Sequence, residues 1–457
     1  MRESRQSSCQ EVAGWRNTRL QKRCPQYGLV CVGIKCFTGE SQMGNIGPNR
    51  RQVLTSALFT AASLGIPVSR VSAQIKPGTK SSSEGSIGFL KYLEGGYNDQ
   101  AGLAFEVAAG QLGLKGLTAN GKGDANTQIR SFNEMLIRGV TGVGINPVDG
   151  INIASLARAA KDANAYLVGS WSVPPWFTPW AANENYTYLT PDDYTGVYKV
   201  TEVLAQALNG KGVIVRARGS QGNTTDINRG EAHDRVIKKY PELHIAGELY
   251  TNWTPEEGYR VTTSLLTRFP DATAVIAADD HIATGVVAAI KSIGKKPGRD
   301  VLVIGANGND DAVQRVRDGS QLATSSTIPS YIGYAMAAHI YDRVHGWVPE
   351  SGERMLAWEP IVVTRDNVDK YIAHFLGQLA EKHFDARLMS RVISPNDWKS
   401  QVKLYPIDPE TQWAGCAKPS GFDYPDGYKS ALADGAFDKA AALYAEHAGP
   451  NILARDL

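Results

Sequence analysis

The chain has 457 residues, 42% hydrophobic and 21% charged, with 46 glycines and 22 prolines. That length fills two or three domains, and the composition excludes a collagen, a coiled coil and a wholly disordered chain. The formal charge of +2 is unevenly placed: residues 1–73 hold ten Lys/Arg against Glu3, Glu11 and Glu40, which leaves 38 basic and 43 acidic residues in the body, a net −5 with no electrostatic footprint for nucleic acid.

Residues 1–42 read as a leader that belongs to no signal. Cys9, Cys24, Cys31 and Cys36 lie there at gaps that match no zinc or redox spacing. Met43 stands seven residues before Arg50, where a natural start is expected, so a mistaken upstream start is favoured over a metal-binding prodomain. Residues 43–73 read as a signal peptide. Arg50 and Arg51 precede the uncharged run Val53–Ile66, too short to span a bilayer but suited to a secretory core. Val71-Ser72-Ala73 offers the small residues a signal peptidase reads, so cleavage is expected after Ala73 and the body is expected in the periplasm. The stretch Asn49–Thr55 also resembles a twin-arginine export signal, with Asn where Ser or Thr is usual and Val where Phe is usual. Both export routes fit. After cleavage Cys416 is the one cysteine left, and no other stretch has the length and apolarity of a transmembrane helix.

Beyond a Ser-rich link at Ser81–Ser83, apolar runs alternate with amphipathic segments. Strands are expected at 86–92, 113–119, 140–145, 165–170, 212–217, 244–250, 273–278, 301–305, 321–327 and 359–364. Consecutive Val, Ile and Leu in most of them fit parallel strands buried on both faces. Helices are expected at 124–138, 150–163, 254–268 and 329–344. Thr254, Pro255 and Glu257 supply a cap, a first-turn proline and a capping box. Ten strands exceed one open sheet, so two lobes are expected, with a break near Leu189–Asp193. Residues 371–457 read as a mainly helical extension interrupted by prolines.

Catalytic signals are sparse. The chain has no P-loop, no G-x-S-x-G elbow, no H-E-x-x-H and no G-x-G-x-x-G. Asp279-Asp280-His281 admits a metal reading, but its place at a strand end favours ligand binding or helix capping. The segment 171–188 holds six aromatics, of which one or two are expected to face a ligand and the rest to be structural. Asn146, Asp279 and Asn307 each follow a strand and are placed to present hydrogen-bonding groups at a cleft outside the strands' carboxyl ends.

These residues resemble the periplasmic sugar-binding proteins of ABC importers, of the ribose-binding type. The resemblance covers roughly 84–370 and is carried by Arg138–Asp149, Asn228-Arg229-Gly230-Glu231, Ala274–Asp280, Val303–Gly308 and Leu322–Pro329. It implies an α/β fold of two Rossmann-like lobes with parallel sheets, joined by a three-strand hinge and closing on ligand. The lobes would be 84–190 with 328–358, and 191–327 with 359–370; the extension 371–457 exceeds the usual family length. Asn146 matches the family's ligand asparagine and Trp253 an aromatic that stacks on the sugar. Asp279 stands at an Asn/Asp position, Asn307 at a usual aspartate and Thr327 at a common glutamine. Trp171-Ser172 replaces an Asp-Arg pair that grips ring hydroxyls. Tyr92 and Tyr97 lie in the loop of the aromatic wall. Asn228 completes the implied set. These departures argue against ribose or galactose. With Asp279 and few cations nearby, a neutral sugar, a polyol or an amino sugar is expected.

The implied function is a solute receptor that delivers its ligand to an ABC permease. It would act as a monomer, not as an enzyme, with no cofactor, no metal and no nucleic-acid partner. A ligand-presenting sensor for a chemoreceptor or histidine kinase is the alternative. An enzyme on the same scaffold lacks an identifiable nucleophile–base pair, and a repressor lacks an N-terminal helix-turn-helix.

Overall fold

The computed structural model describes residues 85–376, 379 and 382–454. The leader, the signal segment with its cleavage site and the Ser81–Ser83 link lie outside the described residues.

Two sheets organise the described chain. The first has the order β13-β11-β5-β4-β3-β1-β2, from β1 (Ser86–Lys91), β2 (Lys115–Asn120), β3 (Gly142–Ile145), β4 (Tyr166–Gly169), β5 (Tyr186–Pro191), β11 (Met355–Trp358) and β13 (Leu404–Pro406). The second has the order β12-β10-β9-β8-β6-β7, from β6 (Lys211–Ala217), β7 (Glu242–Leu249), β8 (Ala274–Ala277), β9 (Leu302–Asn307), β10 (Ala323–Ser326) and β12 (Ile361–Val363). Pairing is parallel except at β10–β12 and β11–β13, where an antiparallel edge strand closes each sheet. The chain passes between the sheets four times: after β5, after β10, between β11 and β12, and between β12 and β13. The first three match the three-strand hinge that the resemblance implies; the fourth carries the extension back to the first sheet.

Helices cover both faces, as parallel strands apolar on both sides require. Gly96–Gln111 and Pro329–Val344 pack on each other and on the first sheet, joining Phe89, Phe105, Tyr334 and Met336 in one core. Asp193–Ala207 and Thr224–Ile237 cover one face of the second sheet, and Pro255–Arg268 and Asp280–Ser292 the other. The helix at Pro255 starts as its sequence predicts: the Thr254 hydroxyl accepts from the Glu257 amide at 3.4 Å. The Glu257 carboxylate, however, turns to Arg260.

Three strands differ from expectation. β5 begins inside the aromatic segment 171–188 and runs into the break expected near Leu189–Asp193, where no strand was expected. β11 was not expected; it precedes the strand expected at 359–364, which is β12. β13 lies in the extension and pairs Leu356 with Pro406 and Trp358 with Leu404. The extension is thus part of the first lobe's sheet. It is further anchored by Asp342, whose carboxylate accepts from the Arg391 and Val392 amides at 2.8 and 3.3 Å and from the Ser390 hydroxyl. Arg391 pairs with Glu353 at 2.6 Å and lies over the rings of Trp398, Trp347 and Tyr444.

His339 sits at this junction, its Nε2 3.0 Å from the Thr187 hydroxyl and its ring edge-on to Trp347. Burial, and then the positive charges of Arg343 and Arg391, hold its pKa down to about 3. A depressed histidine contributes stability that is fully present above its unfolded pKa, about 6.5, and lost as pH falls toward its folded value. The wild-type chain is therefore expected to lose up to about 1.4 kcal/mol per pH unit between about 6.5 and 3 from this group. His339→Gln should flatten that slope in denaturation measured across pH. Parallel slopes for the two proteins would contradict the assignment.

Candidate ligand-binding cleft

The carboxyl ends of both sheets face a cleft of about 550 Å³, mouth included, within the range of small-ligand sites. The first lobe contributes Tyr92, Leu93, Tyr97, Asn98, Asn146, Pro147, Trp171 and Ser172. The second contributes Asn223, Thr225, Arg229, Trp253, Asp279, His281 and Asn307. The first wall carries no carboxylate, guanidinium or imidazole; those groups all come from the second.

The first wall is fixed by hydrogen bonds made behind it. The Trp171 indole N–H donates to the Tyr97 hydroxyl at 2.9 Å, and the Tyr188 hydroxyl donates to the Trp171 carbonyl at 2.7 Å. Trp171 adopts φ 57°, a left-handed conformation that costs a non-glycine residue about 1–3 kcal/mol and persists only when its surroundings over-determine it. The Asn146 side-chain amide donates to Asn98 Oδ1 at 3.3 Å, and its backbone carbonyl accepts from Gln128 Nε2 at 2.8 Å. Tyr97 is buried, and loss of solvent drives its pKa upward, so it stays a neutral donor and acceptor.

The second wall is built around Arg229. It is 1% exposed, and its Nε and Nη2 donate to the two carboxylate oxygens of Asp193 at 2.7 and 2.8 Å. Nη2 also donates to Asn307 Oδ1 at 2.7 Å. The guanidinium lies 5.4 Å from the Trp171 ring centroid and 5.8 Å from that of Trp253, so it joins the aromatic arms of the two lobes. Burial opposes the charge, but Asp193, Asp279 and Asp280 more than offset this and raise the Arg229 pKa. Burial also raises the pKa of Asp193 and of Asp279, against the lowering effect of Arg229 on each.

Asp279 caps the Asp280–Ser292 helix, accepting from the Ile282 amide at 2.8 Å, while its other oxygen accepts weakly from Asn307 at 3.4 Å. Asp280 points inward and accepts from Gly308, Asn309, Thr324 and Gln321. That consumes the carboxylate which a metal reading of Asp279-Asp280-His281 needs; among the described residues no cluster of three or more His, Cys, Asp or Glu is placed to hold a metal. Two close approaches demand glycine. A Cβ at Gly219 would lie 2.1 Å from the Trp253 ring, and one at Gly96, where φ is +38°, would lie 2.5 Å from His281 Nε2. Trp253 therefore lies flat on backbone, and His281 reaches across the mouth to the opposite lobe.

Seven of the nine residues expected from sequence line this one cleft: Tyr92, Tyr97, Asn146, Trp171, Trp253, Asp279 and Asn307. Asn228 and Thr327 do not. Asn228 and Arg229 are neighbours on one helix, and a turn of about 100° per residue lets only one of them face the cleft. Thr327 is fully buried behind it, with its amide and hydroxyl directed at the Asn307 carbonyl. The expectation of few nearby cations also needs correction: Arg229 is in the wall. Its signal in the sequence is the Asn-Arg-Gly-Glu stretch, read there without a role for the arginine. Asn98, Asn223 and Thr225 had no signal beyond polarity; Ser172 was marked by the Asp-Arg pair it helps to replace.

A family model described as a periplasmic binding protein domain matches residues 87–346. A xylitol-binding protein of Mycolicibacterium smegmatis is 27% identical over 259 residues, covering 55% of this chain and 69% of that protein. A ribose import binding protein of Bacillus subtilis is 27% identical over 243 residues, covering 53% and 75%. Among solved structures, a twin-arginine translocation pathway signal protein from Burkholderia phytofirmans superposes with a TM-score of 0.62 at 21% identity, covering 66% of this chain and 96% of that one. Among the described residues no helix is long and apolar enough to cross a membrane.

Proposed function

The chain belongs to the periplasmic binding protein domain family, and from that premise we propose that it captures a neutral sugar or polyol between its lobes and delivers it to the permease of an ABC importer. The observation that carries this reading is the pairing of Arg229 with Asp193 inside the cleft. The cation is already neutralised, so a carboxylate or phosphate on the ligand is not needed to balance it. What remains for a ligand is amide and guanidinium hydrogen bonding from Asn98, Asn146, Asn307 and Arg229 between two indoles, a set suited to hydroxyl groups on a frame with apolar C–H faces. Xylitol and ribose, for which the two relatives are named, are a neutral polyol and a neutral sugar.

Ligand bridging both walls stabilises the closed state through its greater affinity for that state, and closure is the signal a permease reads. The chain acts as a receptor and performs no chemistry on its ligand. Its place of work is the periplasm, after export and cleavage near Ala73.

The test is a thermal-shift panel of D-ribose, xylitol, other neutral sugars and polyols, sugar acids and amino sugars. At a hundredfold its Kd, a ligand adds about 2.7 kcal/mol to the folded state. A shift from one or more neutral compounds supports the reading, and a panel in which only acids respond contradicts it. Asp279→Asn should weaken a neutral ligand about tenfold, the loss of one hydrogen bond to a charged acceptor. For an amino sugar the same change would remove an ion pair as well, so a much larger loss confined to amino sugars in a calorimetric titration would overturn the neutral assignment.

A further inference from the structure

The extension lies beyond the family match, and one of its turns stands directly behind the cleft. Trp176 is buried, and its indole N–H donates to the carbonyls of Cys416 and Ala417, both at 3.2 Å. Its ring packs against Trp413 and Phe422 at centroid distances of 5.8 and 5.7 Å. Trp176 itself has φ 65°, the second left-handed tryptophan of the loop that begins at Trp171. That loop carries Trp171 and Ser172 into the cleft, and Ser172 meets Thr224 of the opposite lobe at 3.1 Å.

The same turn also touches the other arm. A Cβ at Gly415 would lie 3.2 Å from both Ile227 Cγ2 and Glu231 Cβ. These residues flank Arg229 on the Thr224–Ile237 helix. One turn of the extension therefore packs against both elements whose tips meet where Trp171 covers Arg229.

We propose that the turn Trp413–Ala417 is a positioning element of the cleft: through Trp176 it holds the 171–176 loop in its strained conformation, and through Gly415 it sets the helix that carries Arg229. The strain in Trp171 and Trp176 is the physical reason such a support is needed. A loop with two left-handed tryptophans relaxes unless outside contacts fix it. The inference rests on the cleft being the binding site.

The test is hydrogen–deuterium exchange on the full chain without any sugar. Trp176→Phe keeps an aromatic ring and removes the donor to Cys416 and Ala417. Exchange of the amides at 170–173 should rise about tenfold, with the strands of the second sheet unchanged. Gly415→Val, a wedge against the helix, should raise exchange at 224–231. Trp180→Phe is the control, because it removes a similar indole bond, to Ser351 at 2.9 Å, away from the cleft. Native protection at 170–173 in Trp176→Phe, or an equal rise in Trp180→Phe, overturns the proposal. Because no sugar is present, that outcome is separate from a failed ligand panel, which would sink the receptor reading instead.

Discussion

Trp253→Ala is expected to abolish the ligand-induced rise in melting temperature while leaving the unliganded transition within about 2 °C of wild type. The indole forms one face of the cleft, lies on the bare backbone of Gly219 beside Arg229 and only borders the second lobe's core, so few interior contacts depend on it. For a ligand it supplies a broad apolar face. Removing an aromatic anchor of that kind costs on the order of 2–4 kcal/mol, or 30-fold or more in Kd. A thermal shift of wild-type size in this variant would remove Trp253 from the site.

Arg229→Met should affect stability as well as binding. The substitution strands the Asp193 carboxylate, 4% exposed as a residue, without its two-pronged partner. Breaking a buried pair from one side costs about 3–5 kcal/mol, because an uncompensated charge remains inside. It also frees Asn307 and unstacks the guanidinium from both indoles. Adding Asp193→Asn should recover a large part of the stability, since the stranded charge is then gone, but none of the ligand response. Urea denaturation of the two variants checks the first half and the sugar panel the second. Wild-type stability for Arg229→Met alone would contradict the account.

The sequence revealed the fold through its parallel strands. Runs such as Ala274–Ala277 and Leu302–Gly305 are apolar at consecutive positions, a pattern that only a strand buried on both faces requires. β5 and β13 were missed for related reasons. In β5, Thr187 and Thr190 break the apolar run and Pro191 ends it, so its tyrosines read as loop aromatics. β13 is three residues, the last of them Pro406, and exists because β11 offers it a free edge, information that lies about 50 residues away. In the cleft, residues following strands were legible because strand ends converge. Arg229 was harder to see. It lies inside a helix, and its role depends on Asp193, the first helical residue past a crossover, which no local spacing connects to it. Of the six aromatics in 171–188, Trp171 lines the cleft, and the reason, a left-handed backbone held by Tyr188 and Thr190, is a tertiary one.

The central claim is that one small neutral molecule binds between the lobes, in contact with both. A crystal structure grown with the sugar or polyol that gives the largest thermal shift tests it most directly. The account predicts density flanked by Trp171 and Trp253, with hydroxyls within hydrogen-bonding distance of Asn146 on one wall and of Arg229, Asp279 or Asn307 on the other. Sugar density that touches only one lobe, or lies away from this cleft, would contradict it.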